Sequence, residues 1–217
     1  MAPIIRLATE DDAAQILEIY APFCRDTPVS FETEPPSLAE MRRRIAAILP
    51  SYPWLVCEED GSILGYAYAS RHRERAAYLW SVDVSAYVRE GRRRGGVGRA
   101  LYTSLFAILR LQGFYNAVAG VTLPNPGSEG LHGAMGFRPV GISRHIGHKC
   151  GGWHDVAWSQ LTLREPEPDP RPPLPIDAVR GEREWDEALV SGSLRLGGPD
   201  SVLRGPAAQG VSYPSPG

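Results

Sequence analysis

The sequence predicts one α/β (α+β) domain followed by a short appendage, on three observations. Stretches of strand length and stretches of helical periodicity alternate as strand, helix, helix, three strands, helix, strand, helix, two strands. Asp60-Gly61, between the second and third strand stretches, is a two-residue hairpin signal. Val82 to Leu111 reads as strand, glycine-rich turn and helix, and the helix carries Leu101, Leu105, Ile108 and Leu109 on one face.

Taken in order, Ile4 to Leu7 is a short apolar strand. Thr9 is a good N-cap, acids fill the turn after it, and Ala13, Ile16, Leu17 and Tyr20 share one helical face. Pro22 closes or kinks that helix. Pro28 to Pro36 is a loop around Val29-Ser30-Phe31, and the capping box Ser37-x-x-Glu40 opens a second helix lined by Met41, Ile45, Ile48 and Leu49. Trp54 to Glu58 and Ile63 to Ser70 are strands, Arg71 to Arg75 is a charged connection, and Tyr78 to Val88 is the strand that enters the glycine turn. Val118 to Thr122 follows as a strand, then a short helix through Leu131 and Met135 that Gly136-Phe137 ends. Phe137 to His145 and Trp153 to Leu163 are the last strands. Prolines then crowd positions 166 to 175, which reads as an extended strap. From Gly181 to Gly217 the chain is rich in Gly, Ser and Pro, and is expected to be mobile or docked only in part, with one short helix around Trp185 to Leu189. The division expected is 1–165 as the domain, 166–180 as the strap and 181–217 as the tail.

Composition narrows the partners. An apolar fraction of 43% over 217 residues supports a real core. A net charge of −2 argues against a nucleic-acid partner, and Arg92-Arg93-Arg94 is too local to change that. Cys24, Cys57 and Cys150 are odd in number and far apart, so no disulfide framework is implied and a reducing, cytoplasmic setting is expected. There is no secretory leader pattern and no apolar run of membrane-spanning length, so no membrane partner is expected. His145, His148, Cys150 and His154 match no common zinc spacing, and no metal is expected.

The glycine turn carries the first functional signal. A helix start exposes unbonded N–H groups and the positive end of the macrodipole, and glycines let an anion approach them. Gly95, Gly96 and Gly98 sit there, with Arg93, Arg94 and Arg99 adding charge. The pattern is a diphosphate cradle. The dinucleotide fingerprint and the Walker loop do not fit Gly95-Gly96-Val97-Gly98. What stands there is Arg93-x-x-Gly96-x-Gly98.

That motif resembles the acyl-CoA loop of the Gcn5-related N-acetyltransferases (GNAT). Met1 to about Leu174 resembles their phosphinothricin and methionine sulfoximine N-acetyltransferase branch. The likeness rests on Val29-Ser30-Phe31-Glu32-Thr33-Glu34-Pro35, Tyr52-Pro53-Trp54-Leu55-Val56, Gly65-Tyr66-Ala67-Tyr68-Ala69 and Arg75-Ala76-Ala77-Tyr78. It extends through Leu123-Pro124-Asn125, His132-x-x-x-Gly136-Phe137 and Lys149-x-x-Gly152-Trp153-His154-Asp155-Val156. The tail beyond about Val179 lies outside it. The resemblance implies a mixed, mostly antiparallel sheet of about seven strands, splayed in the middle and flanked by four helices. It also implies transfer of acetyl from acetyl-CoA to the amine of a small amino-acid-like molecule, and a homodimer paired through the C-terminal strands.

Residue by residue, the resemblance places pantetheine against the backbone of Ala86, Tyr87 and Val88. The pyrophosphate falls at Arg93, Arg94, Gly95, Gly96, Val97, Gly98 and Arg99, with Asn125 and Ser128 on the opposite lip. Asp83 stands where a base must deprotonate the ammonium; burial would raise its pKa toward working pH. The family more often carries Glu there, so Asp83 is one methylene short and a relaying water is expected, or else Asp83 only orients the ammonium. His132 stands where a proton donor to the CoA thiolate is expected, or a packed histidine at the cofactor. Arg75 could bind the acceptor's carboxylate or phosphinyl group, Phe31 and Tyr78 could wall the pocket, and Lys149 and His154 could face it. Two departures bear on the acceptor: the herbicide-resistance enzymes carry an aromatic near His72 and an acid near Leu79. No cysteine falls where a nucleophile is expected, which agrees with direct transfer in a ternary complex. A non-catalytic acyl-CoA sensor on the same fold, or an enzyme with a polyamine or protein N-terminal acceptor, stays open at this point.

Overall fold

The computed structural model describes residues 2–197. The elements are β1 (Ile4–Leu7), α1 (Ala13–Asp26), α2 (Leu38–Ile48), β2 (Trp54–Glu59), β3 (Ser62–Arg71), β4 (Ser81–Val88) and α3 (Val97–Gln112). They continue with β5 (Asn116–Thr122), α4 (Pro126–Ala134), β6 (Arg138–Lys149), β7 (Gly152–Thr162), α5 (Ile176–Val179) and α6 (Arg183–Gly197). The seven strands form one sheet in the order β1-β2-β3-β4-β5-β7-β6. Every neighbouring pair is antiparallel except β4 and β5, which run parallel.

The sheet is covered on both faces, which is why β2 reads as an unbroken apolar run. Trp54, Val56, Ile63 and Tyr66 face α1 and α2, packing with Ile16, Ile19, Tyr20, Met41 and Ile45. Leu55, Cys57, Leu64, Ala67, Val82 and Val84 face α3, packing with Leu101, Leu105, Ile108 and Leu109. Asp60 and Gly61 both take positive φ, 49° and 76°, the conformation the hairpin signal requires. Ser37 Oγ accepts from the Glu40 N–H and caps α2, one half of the expected capping box, while the Glu40 carboxylate accepts from Arg43 and Arg44.

Three sequence expectations are corrected. Pro22 does not end α1, which continues through it to Asp26. The strand before the glycine turn begins at Ser81, because Ala76–Tyr78 form a turn of 3-10 helix. Of the tail expected to be mobile or docked only in part, residues 183–197 are docked, and the short helix expected around Trp185 to Leu189 is longer, a fifteen-residue α6 packed along α3. Gly192 makes that packing close: its N–H donates to Ser104 Oγ at 3.1 Å, and Ser104 Oγ donates to the Leu189 carbonyl at 2.7 Å. Trp185 and Ala188 are buried in the same layer. The rest of the expected tail, 198–217, lies outside the described residues. The strap is extended and fastened: Leu174 exchanges hydrogen bonds with Gln112, and the Trp80 indole donates to the Arg171 carbonyl at 2.8 Å. Among the described residues no helix is long and apolar enough to cross a membrane.

Candidate active site

The sheet opens at its centre. β4 and β5 pair only at Ser81–Asn116, Val82–Ala117 and Asp83–Val118. Beyond Asp83, β4 runs on to Val88 paired with β3 alone, and β5 runs on to Thr122 paired with β7 alone. The five residues Val84–Val88 leave about 16 Å of strand edge without a β5 partner. Backbone groups along such an edge are free to pair with an extended ligand. The Tyr87 side chain anchors this edge from behind, against Tyr20, Phe23 and Tyr66 with ring centroids 5.1, 5.1 and 5.3 Å away.

At the far end of the open edge lies the glycine turn. Gly96 is the N-cap of α3 at φ +83°, a conformation that L side chains adopt only under strain. The cap is not closed by a side chain, so the first N–H groups of α3 remain available. Gly98 fits tightly, since a Cβ there would meet Leu131 Cδ2 of α4 at 3.0 Å. Of the arginines, Arg92 pairs with Glu59 and Arg93 lies over the Phe23 ring at 5.2 Å. Arg94 and Arg99 are exposed and form no ion pair among the described residues. On the other lip, Asn125 Oδ1 accepts from the Ser128 N–H at 3.2 Å and caps α4, while its Nδ2 makes no hydrogen bond among the described residues.

Asp83 is the last β4 residue paired with β5, so it stands where the strands part. Burial pushes its carboxyl above the ordinary 3.8, against the pull of a hydrogen bond and charge from His72 and of charge from Arg73. The partner is close: His72 Nδ1 lies 2.7 Å from Asp83 Oδ1. The Tyr78 ring stands edge-on to His72 at 5.6 Å and is itself 43% exposed. Arg75 caps the turn that carries Tyr78 and has no ion pair among the described residues. Asp83, His72, Tyr78 and Arg75 thus gather around the β3–β4 connection. Sequence reading named three of them and passed over His72 as a partner.

Phe31 is exposed at 41% and rests on Gly147 of β6, where a Cβ would stand 2.3 Å from the ring. Two expected substrate contacts instead hold this wall in place. Lys149 is buried, and its ammonium donates to the carbonyls of Ser30 and Glu32, on either side of Phe31, and to that of Phe23. Thr122 Oγ1, at the end of β5, donates to the Val29 carbonyl. His154 Nε2 donates to the Lys149 carbonyl at 2.9 Å, within the β6–β7 hairpin. All three Lys149 donors are thus used within the protein, whereas His154 keeps its Nδ1 without a hydrogen bond among the described residues.

Of the two readings of His132, proton donor or packed histidine, the geometry has the features of the second. The ring is buried between α3 and α4, edge-on to Phe137 with centroids 4.9 Å apart. The Ser128 carbonyl, 2.8 Å from Nδ1, can only accept, so Nδ1 carries the proton. Nε2 then accepts from the Tyr102 hydroxyl at 3.1 Å. Burial pushes the imidazole below its ordinary 6.5, partly countered by the Ser128 carbonyl. A neutral ring with both nitrogens engaged is a packing element, and a poor proton donor to a thiolate. Among the described residues no group of His, Cys, Asp and Glu could hold a metal ion.

This geometry has known counterparts. The model of the acetyltransferase (GNAT) domain family matches residues 5–158. A phosphinothricin N-acetyltransferase of Streptomyces viridochromogenes is 39% identical over 175 residues, spanning 81% of this chain and 95% of that one. An L-methionine sulfoximine/L-methionine sulfone acetyltransferase of Pseudomonas paraeruginosa is 33% identical over 165 residues, spanning 75% and 96%. Among solved structures, a GNAT superfamily phosphinothricin acetyltransferase of Sinorhizobium meliloti in complex with AcCoA superposes with a TM-score of 0.74 at 33% identity, covering 85% of this chain and 99% of that one. A parallel pair that parts at a carboxylate, with an open helix start beyond it, and these likenesses over most of the chain lead to one conclusion. The chain belongs to the GNAT acetyltransferase family, in the branch of the phosphinothricin and methionine sulfoximine acetyltransferases, and is an acetyl-CoA-dependent N-acetyltransferase.

Proposed function

We propose that the acceptor is the primary amine of a small amino-acid-like molecule of the phosphinothricin or methionine sulfoximine type, acetylated directly in a ternary complex. The parting of β4 and β5 at Asp83 carries the reading. It offers one slot in which an extended thioester and an amine meet beside a buried carboxylate.

In this reading pantetheine lies along Ala86, Tyr87 and Val88 as an added strand, and Asn125 Nδ2 donates to it from the β5 side. The pyrophosphate sits on the N–H groups that follow Gly96, with Arg94 and Arg99 as its counter-charges. Arg75 takes the acceptor's acidic group in bidentate fashion, and Tyr78 and Phe31 close the sides. The Asp83 carboxylate supplies the negative charge beside the amine, which must lose a proton before its nitrogen lone pair can attack. The protein is a homodimer through the outer β6–β7 face, where Val140, Ile146 and Trp153 are 64%, 55% and 63% exposed.

The test is thiol release from acetyl-CoA with phosphinothricin, L-methionine sulfoximine, a polyamine and a short peptide as acceptors. Turnover confined to the first two, lost in Asp83→Ala, is expected. Acetyl-CoA binding with no turnover on any amine would favour a sensor, and turnover on the peptide alone would move the acceptor class.

A further inference from the structure

Asp83 has a close titratable partner in the structure. β3 and β4 are registered Ser70 to Asp83, and His72 follows directly from β3. That geometry folds the imidazole over the carboxylate, with Nδ1 and Oδ1 2.7 Å apart. A carboxylate only accepts, so the proton of this contact belongs to Nδ1. In the neutral ring Nε2 is then left with its lone pair, and it makes no hydrogen bond among the described residues. Neither partner is sealed: the His72 side chain is 15% exposed and that of Asp83 35%. The other groups around the pair are the Arg73 guanidinium, the Tyr78 ring against His72, and Tyr68 across the sheet.

We propose that His72, held by Asp83, is the group that takes the proton from the acceptor ammonium. The proposal rests on the transfer reaction given above and deepens it. A carboxylate beside an imidazole fixes the tautomer and stabilises the imidazolium that forms. An imidazole is a stronger base than a carboxylate, and the ring extends the reach of the short Asp83 side chain. No relaying water is then needed.

The step balances as follows. The R–NH3⁺ proton passes to His72 Nε2, and the resulting imidazolium is paired with the Asp83 carboxylate. The freed lone pair forms the C–N bond at the thioester carbonyl, the C–S bond breaks, and sulfur leaves with its electron pair. The second proton lost from nitrogen ends on the thiolate as CoA thiol, and the imidazolium returns its proton to solvent. The sum is one amide, one thiol and one released proton for each ammonium and thioester consumed.

His72→Asn separates this from a structural role. Asn keeps an N–H near the Nδ1 position, so Asp83 stays held, but it has no atom that can receive the proton. With L-methionine sulfoximine and phosphinothricin as acceptors, kcat/KM is expected to fall about 100-fold or more, chiefly in kcat. The acidic limb of the pH–rate profile is expected to lose its inflection, while acetyl-CoA binding by calorimetry stays unchanged. His72→Gln serves as the second variant should Asn not fold. Either variant retaining wild-type kcat/KM within a few-fold, with the same pH profile, would overturn the proposal and return the base to Asp83. Failure of the wild type to acetylate either amine would instead remove the reaction, and the pair's role with it.

Discussion

Gly192 is the tightest joint between α6 and the rest of the molecule. A Cβ built there would stand 2.2 Å from the Ala100 carbonyl oxygen, 2.6 Å from Ile5 Cδ1 and 2.6 Å from Ser104 Oγ. The first of these is backbone in the first turn of α3, which cannot rotate away, so Gly192→Ala must lift α6 by roughly 1 Å to restore ordinary contact. Overpacking of this kind costs about 1–3 kcal/mol. The buried hydrogen bond from the Gly192 N–H to Ser104 contributes about 1 kcal/mol and would be strained or lost. Against this, replacing a helix-interior glycine by alanine returns up to about 1 kcal/mol of helix propensity. The net expectation is a loss of about 1–3 kcal/mol, read as a lower urea midpoint at an unchanged slope. The consequence reaches the site, because Leu196 at the end of α6 lies against Gly96 and helps line a cavity of about 340 Å³ with Arg92, Arg93 and Gly95. Acetyl-CoA affinity should therefore fall along with stability. A Gly192→Ala protein as stable as the wild type, or more so, would refute the docking of α6 on α3.

Other perturbations separate packing from chemistry. His132→Gln should flatten the acid sensitivity of stability. The folded-state value of His132 lies below 6.5, so on acidification the unfolded chain takes up the proton first; the stabilisation is present above about pH 6.5 and is lost as pH falls through the folded value. Urea midpoints at about pH 7 and pH 5 check this, and a kcat loss in the variant with no change in that slope would restore His132 as the acid. Lys149→Met leaves the carbonyls of Phe23, Ser30 and Glu32 without their donor and should lower stability by about 2–4 kcal/mol. Because Phe31 loses its hold, the acceptor KM should rise while acetyl-CoA binding persists; a change confined to acetyl-CoA would contradict this. Trp153→Asp on the outer hairpin should convert a dimer to a monomer in sedimentation, and a wild type that already sediments as a monomer would remove the interface.

The element order was legible because each segment carries its own local signal, from the Asp60-Gly61 hairpin to the Ser37 cap. The helix after Gly98 was legible as amphipathic, yet it is buried on more than one side: Leu101 and Leu105 face the sheet, while Ala100 and Ser104 face α6. That second buried side was the overlooked sign that something must cover it, and the glycines and serines of residues 181–197 hid the covering helix. Gly192 weakens helix propensity but permits the close approach. Of the two readings of Pro22, ending or kinking the helix, the first does not hold, since tertiary packing of Ile19, Tyr20 and Cys24 carries the helix through it. At the site, the Gly96 turn was legible because a left-handed N-cap favours glycine, and Asp83 could be placed near the end of a strand pattern, where β4 and β5 part in the structure. The partnership of His72 with Asp83 could not be read from spacing, since it depends on how β3 and β4 are registered. Lys149 and His132 show the same limit: residue type suggests reactivity, and only the surrounding carbonyls and hydroxyls show that their polar atoms are already engaged.

The central claim is that the open start of α3 and the unpaired edge of β4 together hold a CoA thioester. Titration calorimetry with acetyl-CoA measures this directly, on the wild type and on Gly96→Val, with thermal unfolding followed in parallel. A valine at the +83° position must leave the left-handed region or bear about 1–2 kcal/mol of strain, and its side chain would stand in front of the amides. One site per chain for the wild type, and affinity at least about tenfold weaker in a still-folded variant, is the expected result. No heat of association with the wild type, or equal affinity in both proteins, would contradict it.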